Sequence, residues 1–531
     1  MDVLRSLSLR RTPQSEQADP RQRRNSAGGY AFALDDLARL RRFLTLGVDG
    51  GTYYVSARDL ARDNASVVAR LAGTDPAGLV ATIVDVSTRG AAPRQNPALF
   101  ALAYAASLPS SSAAALAALP KVARTGTHLF LFAGYVEQFR GWGRGLRRAV
   151  GSWYLAKDAD AVAYQAVKYR QREGWSHPDL LRLSHPQTVS PQLKDTFDWI
   201  VRGSVGDQVP ALIEGFVQAQ QATEASAWAE LVRRYGLSWE MLPDPALGEV
   251  AVWDALLDVG VPQTALMRQL PRLTRLGLLP DLGGRTDEVT AQLTDSERLR
   301  RGRVHPVNVL VAQRTYATGR STRGAGAWTP SRKVVDALDA AFYQAFGAVE
   351  PSGTRTLLAV DVSGSMGAAI CGMPISAREA SAALALVQLA TEPAASAVGF
   401  TTGGGKGWHD SALRPLAISP RQRLDDALRV IDEMPMSGTD CALPMLYATR
   451  NKIEVDTFVI YTDNETWAGN IHPHQALQEY RRRTGIPAKL VVVGMTATEF
   501  SIADPTDPGM LDVVGFDAAV PSLISEFARG I

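Results

Sequence analysis

The sequence predicts a multidomain protein, an α-helical solenoid followed by an α/β domain built on a parallel sheet. Two patterns carry this. From Gly28 to about Thr286, apolar residues recur at three- and four-residue spacing in short segments separated by Gly/Pro breaks. After Pro351, short continuous apolar runs alternate with helical patterns, as in sheets buried on both faces. A chain of 531 residues is long enough for two to four domains, each with its own core. With 46% hydrophobic and 21% charged residues, its composition is that of an ordinary globular protein.

Residues 1–27 carry Arg5, Arg10, Arg11, Arg21, Arg23 and Arg24 among Ser, Pro and Gln, and read as a disordered basic leader. Helical patterns follow at 34–46 and at 56–71, the second capped by Ser56. Asp75 before Pro76 opens a third helix and Gly90 closes it. Further segments run over 97–108, 113–122, 127–139, 145–154, 207–220, 225–235, 246–259 and 263–278. That rhythm fits stacked helix pairs; an irregular helical domain is the alternative, since no exact repeat period is visible. Residues 298–333 are strongly basic, with Arg298, Arg300, Arg301, Arg303, Arg314, Arg320, Arg323, Arg332 and Lys333. Gly319, Gly324, Gly326 and Pro330 break long helices there, so the stretch reads as the solenoid's end plus a connection, with Trp328 as an anchor. One more helix covers 334–346.

In the α/β part, strands are expected at 357–360, 397–401, 457–462, 488–494 and 511–516, with a short edge strand within 409–418. Helices are expected at 378–391, 424–434, 474–483 and 521–529. Gly403, Gly404, Gly405 and Lys406 lack the spacing and Lys-Ser/Thr ending of a phosphate loop.

Charge is split along the chain. From Pro351 onward there are 14 Lys+Arg against 20 Asp+Glu, and before it 42 against 34. Either a polyanion meets the first part or the two parts face each other. Two cysteines, Cys371 and Cys441, make no disulfide framework and point to a reducing, cytoplasmic setting. No apolar run is long enough for a membrane span.

The chemistry concentrates where the apolar run 357–360 meets Asp361, Ser363 and Ser365. At a strand's carboxyl end these oxygens gather where parallel sheets bind ligands, and they suit a hard divalent cation such as Mg²⁺. Thr439, and Asp463 after the run 457–462, complete a candidate set. The competing reading has the serines capping the next helix and Asp463 in a turn. Asp440 and Glu465 are the only nearby candidates for a general base, which argues against a hydrolase.

The Asp-x-Ser-x-Ser, Thr, Asp pattern resembles the metal-ion-dependent adhesion site of von Willebrand factor A domains. That resemblance implies a doubly wound sheet with the metal above it and a protein ligand on the cation. The stretches 42–55, 168–185 and 262–270, with His305, Pro306, Tyr316, Gly319, Trp328 and Pro330, resemble the TROVE module of the Ro autoantigen family. The family joins that module to a C-terminal A domain, which implies boundaries here of 28–349 and 350–531. The family's TROVE module is a ring of HEAT-like repeats bridged by the A domain. It binds noncoding Y RNA outside and single-stranded 3′ ends of misfolded or unprocessed RNAs in its hole. It acts without catalysis, and bacterial relatives work with a 3′ exoribonuclease tethered through the RNA. A monomer is expected.

Lys168 and His185 match positions that the family uses for Y RNA. Beside them, Arg170, Arg172 and Arg182 offer phosphate contacts, and Tyr169 and Trp175 offer flat faces. Lys121, Arg124, Arg140, Arg144, Arg147 and Arg148 would extend this basic surface. The rival class is a metal-dependent protein-interaction scaffold with incidental RNA binding.

Overall fold

The computed structural model describes residues 11–47, 57–172, 174–321, 326–347, 349–370, 373–402 and 412–530. Ser56, Arg323, Gly324, Cys371 and the Gly403–Lys406 motif lie outside the described residues, as do residues 1–10.

The helical part contains Asp36–Leu46, Ala57–Thr74, Pro76–Arg89, Asn96–Ser107, Ser112–Val122, Gly126–Phe139, Arg144–Leu155, Ala159–Lys168, His177–Ser184, Pro191–Arg202, Ala211–Gln221, Ala225–Tyr235, Val250–Val259, Gln263–Arg275, Thr286–Leu293, Ser296–Arg301, Pro306–Ala317 and Arg332–Gln344. Asp75 caps its helix by accepting from the Gly78 amide, and Gly90 ends it in the left-handed region at φ 73°, as the sequence implied. Alternate helices stack. Pro76–Arg89 packs on Ser112–Val122, which packs on Arg144–Leu155, while Asn96–Ser107 packs on Gly126–Phe139. That two-layer stacking is the solenoid pattern. The basic stretch after Arg298 is more helical than expected. Pro306 opens a twelve-residue helix with His305 as its cap, and Gly319 only turns the chain after it.

Residues 11–27 are not a free leader. Strand β1 (Gln22–Arg24) pairs antiparallel with β2 (Tyr30–Ala33), and Arg11 forks onto Glu479 at 2.8 and 3.1 Å. Two of the arginines that suggested disorder, Arg11 and Arg21, are spent on carboxylates of the C-terminal domain, the second on Asp504 at 2.8 Å. A small hairpin joins β3 (Gln171–Arg172) to β4 (Trp175–Ser176).

The C-terminal sheet holds β5 (Thr356–Asp361), β6 (Ala395–Phe400), β7 (Leu413–Pro415), β8 (Thr457–Thr462) and β9 (Lys489–Gly494). After β10 (Phe500–Ser501), β11 (Met510–Val514) completes it. Among the described residues its order is β11-β9-β8-β5-β6-β7, all parallel except β7. Alternate strand residues face two cores. Leu358, Val360, Val459 and Tyr461 share one with helices Ala377–Thr391 and Val520–Arg529. Leu357, Ala359, Phe458 and Ile460 share the other with Leu443–Asn451 and Pro473–Thr484. The sheet is therefore doubly wound.

The two parts are not beads on a string. β2 pairs with β10, and the buried Arg42 of the first helix bonds Asp512 of β11 at 2.6 Å. From the far end of the helical array, His305, Phe342 and Phe346 surround Phe516. Arg314 pairs with Glu379, and Arg423 with Asp336. Arg89 and Gly90 also share a pocket with Arg300, Arg303 and Phe346, so early and late helices meet.

Candidate metal centre and nucleic-acid interface

All six residues of β5 are buried, so its carboxyl end delivers Asp361 into the interior at full burial. β8 delivers Asp463 beside it. The strand order reverses between β5 and β8, which makes this the crevice where open α/β sheets take ligands. Ser363 and Ser365 sit in the turn after β5, their hydroxyls 3.2 Å apart. The Ser363 amide donates to Asp361 Oδ1 at 2.9 Å, and the Thr462 hydroxyl donates to Oδ2 at 2.7 Å. The Thr439 hydroxyl is buried with no hydrogen-bond partner.

Burial raises the Asp361 carboxyl, and the charge of Asp463 raises it further. Burial raises Asp463 too, against hydrogen bonding from Ser365. Burial and Asp463 push Glu465 up to about 7. Two buried carboxylates, three hydroxyls and no nitrogen or sulfur form a donor set for a hard cation. Among the described residues, no group of three His, Cys, Asp or Glu is placed to hold a metal.

Sequence reasoning missed what covers this edge. Gln14, fully buried, donates from Nε2 to Asp440 Oδ1 at 2.7 Å and to the Ile471 carbonyl at 2.8 Å. Asn25 donates to the Thr466 carbonyl at 2.8 Å, and the Ala27 amide to Glu465 at 3.0 Å. A lone Gln among Ser, Pro and Arg gives no periodic signal of burial, so only the tertiary structure exposes this strap. Asp440 also accepts from the Ala442 amide at 3.0 Å, just ahead of the helix that follows.

The basic residues separate into two groups. Arg144, Arg147 and Arg148 are exposed at the start of helix Arg144–Leu155, on one face, and none forms an ion pair among the described residues. Lys121 is exposed as well, as are Arg170, Arg172 and His185. His185 ends its helix in the left-handed region at φ 44°. Arg170 lies over the Phe216 ring at 4.6 Å, and Trp175 packs on Trp142 at 5.2 Å.

Others turn inward, which corrects the expectation of a continuous exposed surface. Arg124 donates to the Ser87 carbonyl at 2.8 Å, and Arg140 to the Ala106 carbonyl at 2.6 Å. The Lys168 side chain is 9% exposed, donates to the Tyr164 hydroxyl at 2.8 Å and lies 3.7 Å from Glu240. Arg182 stays exposed, although it donates to the Val201 carbonyl at 2.9 Å.

A family model of the TROVE domain matches residues 23–222 and 232–316, and one of the Ro60 vWA domain matches 355–528. The chain belongs to the Ro60 family. It is 43% identical to the RNA-binding protein RO60 of Deinococcus radiodurans, over 100% of this chain and 99% of that protein. It is 33% identical to the RNA-binding protein RO60 of Caenorhabditis elegans, over 98% and 92%. The crystal structure of the Deinococcus radiodurans RO (RSR) protein superposes with a TM-score of 0.70, covering 93% of this chain and 100% of that one. Ro60 membership accounts for the order of parts found here, a stacked-helix module followed by a doubly wound vWA domain. Among the described residues no helix is long and apolar enough to cross a membrane.

Proposed function

We propose that this Ro60-family chain is a non-catalytic RNA-binding protein of RNA quality control or processing. Small noncoding Y RNA binds the outer basic face, and single-stranded 3′ ends of misfolded or unprocessed RNAs enter an opening in the helical array. The observation that carries the reading is the unpaired arginine face of Arg144, Arg147 and Arg148. Unneutralised guanidinium groups at a helix N-terminus, where the dipole is also positive, attract phosphate. Arg170, Arg172 and His185 supply a second exposed group. Lys168 reaches RNA only by leaving Tyr164 and Glu240.

Contacts of both ends of the helical array with the vWA domain support closure around that opening. An opening that admits one strand but not a duplex selects free 3′ ends without reading sequence. The protein works as a cytoplasmic monomer, with a 3′ exoribonuclease tethered through the RNA.

At the metal edge, Asp361, Ser363, Ser365, Thr439 and Asp463 would hold Mg²⁺ or a similar cation, some through water. The orphaned Thr439 hydroxyl and the two carboxylates raised by mutual burial fit that ion. When bound, it supplies an open coordination position for a carboxylate of a protein partner.

Competition on the whole protein tests the RNA reading. A duplex with a 3′ single-stranded overhang outcompetes the same duplex with blunt ends, and affinity falls steeply with salt. Equal competition rules out the opening. A flat salt dependence rules out the phosphate-binding face and favours a protein-interaction scaffold.

A further inference from the structure

Helix Ala377–Thr391 carries a buried cation, Arg378, in its first turn. That position is unfavourable twice over. The N-terminal end of a helix repels positive charge, and a buried guanidinium loses its water. The nearest ion partner offsets little of this, because Asp432 is 60% exposed and 3.4 Å away. Arg378 Nε is buried with no hydrogen-bond partner. Glu379, the next residue, is committed elsewhere, to the capping box with Ser376 and to Arg314.

What Arg378 does hold is the turn after β5. Its Nη2 donates to the Val362 carbonyl at 3.3 Å and to the Ser363 carbonyl at 3.2 Å. Both carbonyls belong to peptide groups whose N–H ends organise the metal edge. The first peptide ends in the Ser363 N–H, which donates to Asp361 Oδ1 at 2.9 Å. The second ends in the Gly364 N–H, which donates to the Ser437 carbonyl at 3.2 Å and so ties in the loop that carries Thr439. A donor on a peptide carbonyl polarises the N–H at the other end and strengthens the bond it makes. Asp432, on the far side of the guanidinium, ends the helix Leu424–Asp432 that leads into the same loop. Through the backbone, one side chain therefore reaches Asp361, the Ser363–Ser365 turn and the Thr439 loop.

We propose that Arg378 is a positioning residue of the metal edge, fixing the spacing of its oxygens so that the site prefers Mg²⁺ to Ca²⁺. This rests on the proposed cation site at Asp361, Ser363, Ser365, Thr439 and Asp463. Mg²⁺ demands near-ideal octahedral geometry at about 2.0–2.1 Å, whereas Ca²⁺ accepts flexible arrangements at about 2.3–2.6 Å. A turn released to shift therefore weakens Mg²⁺ more than Ca²⁺. Losing an outer partner of the ligands typically changes affinity by about 10–100-fold.

Calorimetry of the full chain with Mg²⁺, and separately with Ca²⁺, tests this. R378K keeps the buried charge but loses the planar fork. It binds Mg²⁺ about tenfold more weakly and Ca²⁺ less than about threefold more weakly, so the preference narrows. R378M, which also loses the charge, shows the same asymmetry, and R378K decides alone if R378M does not fold. Hydrogen exchange of the metal-free protein is the second readout. Amides of residues 363–366 exchange about tenfold faster in R378K, while those of 357–361 in β5 keep wild-type rates. A merely structural role speeds both sets of amides and weakens both ions alike, and that outcome overturns the proposal. So does wild-type behaviour of R378K, or a wild type that binds Ca²⁺ as tightly as Mg²⁺. These results leave the cation site standing. A wild type that takes up neither ion overturns the cation site and the role of Arg378 together.

Discussion

Asp512→Ala tests how the first helix is tied to the sheet. Arg42 is 1% exposed, and its Nη2 bonds Asp512 Oδ1 at 2.6 Å. Its Nε and Nη1 are buried without partners, so Asp512 is the carboxylate that compensates this charge. The site cannot collapse around a smaller side chain, because the Arg42 guanidinium already lies 3.0 Å from where a Cβ on Gly494 would sit. Removing one partner of a buried pair costs about 3–5 kcal/mol, and the 21% exposure of Asp512 favours the lower end, about 3 kcal/mol. Hydrogen exchange reads this locally, which suits a chain with more than one core. Amides of helix Asp36–Leu46 exchange about a hundredfold faster in the variant, at about 1.4 kcal/mol per decade. The double variant Arg42→Met/Asp512→Leu recovers most of the loss, because no charge is left buried. A change below about threefold in D512A, or a double variant as unstable as the single, refutes the reasoning.

Gln14→Ala leaves the Asp440 carboxyl and the Ile471 carbonyl short of a donor, at about 1–3 kcal/mol each, so the strap detaches. Trypsin then cuts at Arg21, Arg23 and Arg24 faster than in the wild type, and unchanged kinetics would show the strap held elsewhere. Asp361→Ala abolishes Mg²⁺ binding in calorimetry and removes any rise in melting temperature that Mg²⁺ gives the wild type, while RNA affinity survives. Loss of RNA affinity with the fold intact would tie the metal edge to RNA. Arg147→Ala/Arg148→Ala weakens binding of a structured small RNA and lowers the salt slope by about 1.8, two contacts at about 0.9 each. Lys168→Ala changes that slope less, because its ammonium already has partners, and an equal change would show that Lys168 swings out to RNA.

The strand ends that carry Asp361 and precede Asp463 were legible because their information is local. A strand buried on both faces must be apolar throughout, so the acid that ends it marks a strand terminus, as at Asp361 and Asp463. Helix ends were legible where capping chemistry fixes them, as at Asp75 and Gly90. The strap was illegible for the opposite reason. Arg11, Arg21 and Gln14 owe their order to Glu479, Asp504 and Asp440, each more than four hundred positions away. Composition alone cannot separate arginines that meet distant carboxylates from arginines left in water. The basic surface fails in the same way. Arg124 and Arg144 look alike in sequence, yet one is spent on a carbonyl and the other is exposed.

The opposite charges of the two parts therefore serve two ends. Some basic residues close the structure: Arg42 on Asp512, Arg39 on Glu499, Arg314 on Glu379 and Arg21 on Asp504. Those arginines are neutralised within the chain and add little to a phosphate field. What remains for a polyanion includes the exposed face of Arg144, Arg147 and Arg148, which form no ion pair among the described residues. A count of 42 basic against 34 acidic residues hides that division. Carboxylates of the vWA domain thus neutralise one part of the basic residues, and groups within the helical array take another, as at Arg124, Arg140 and Lys168.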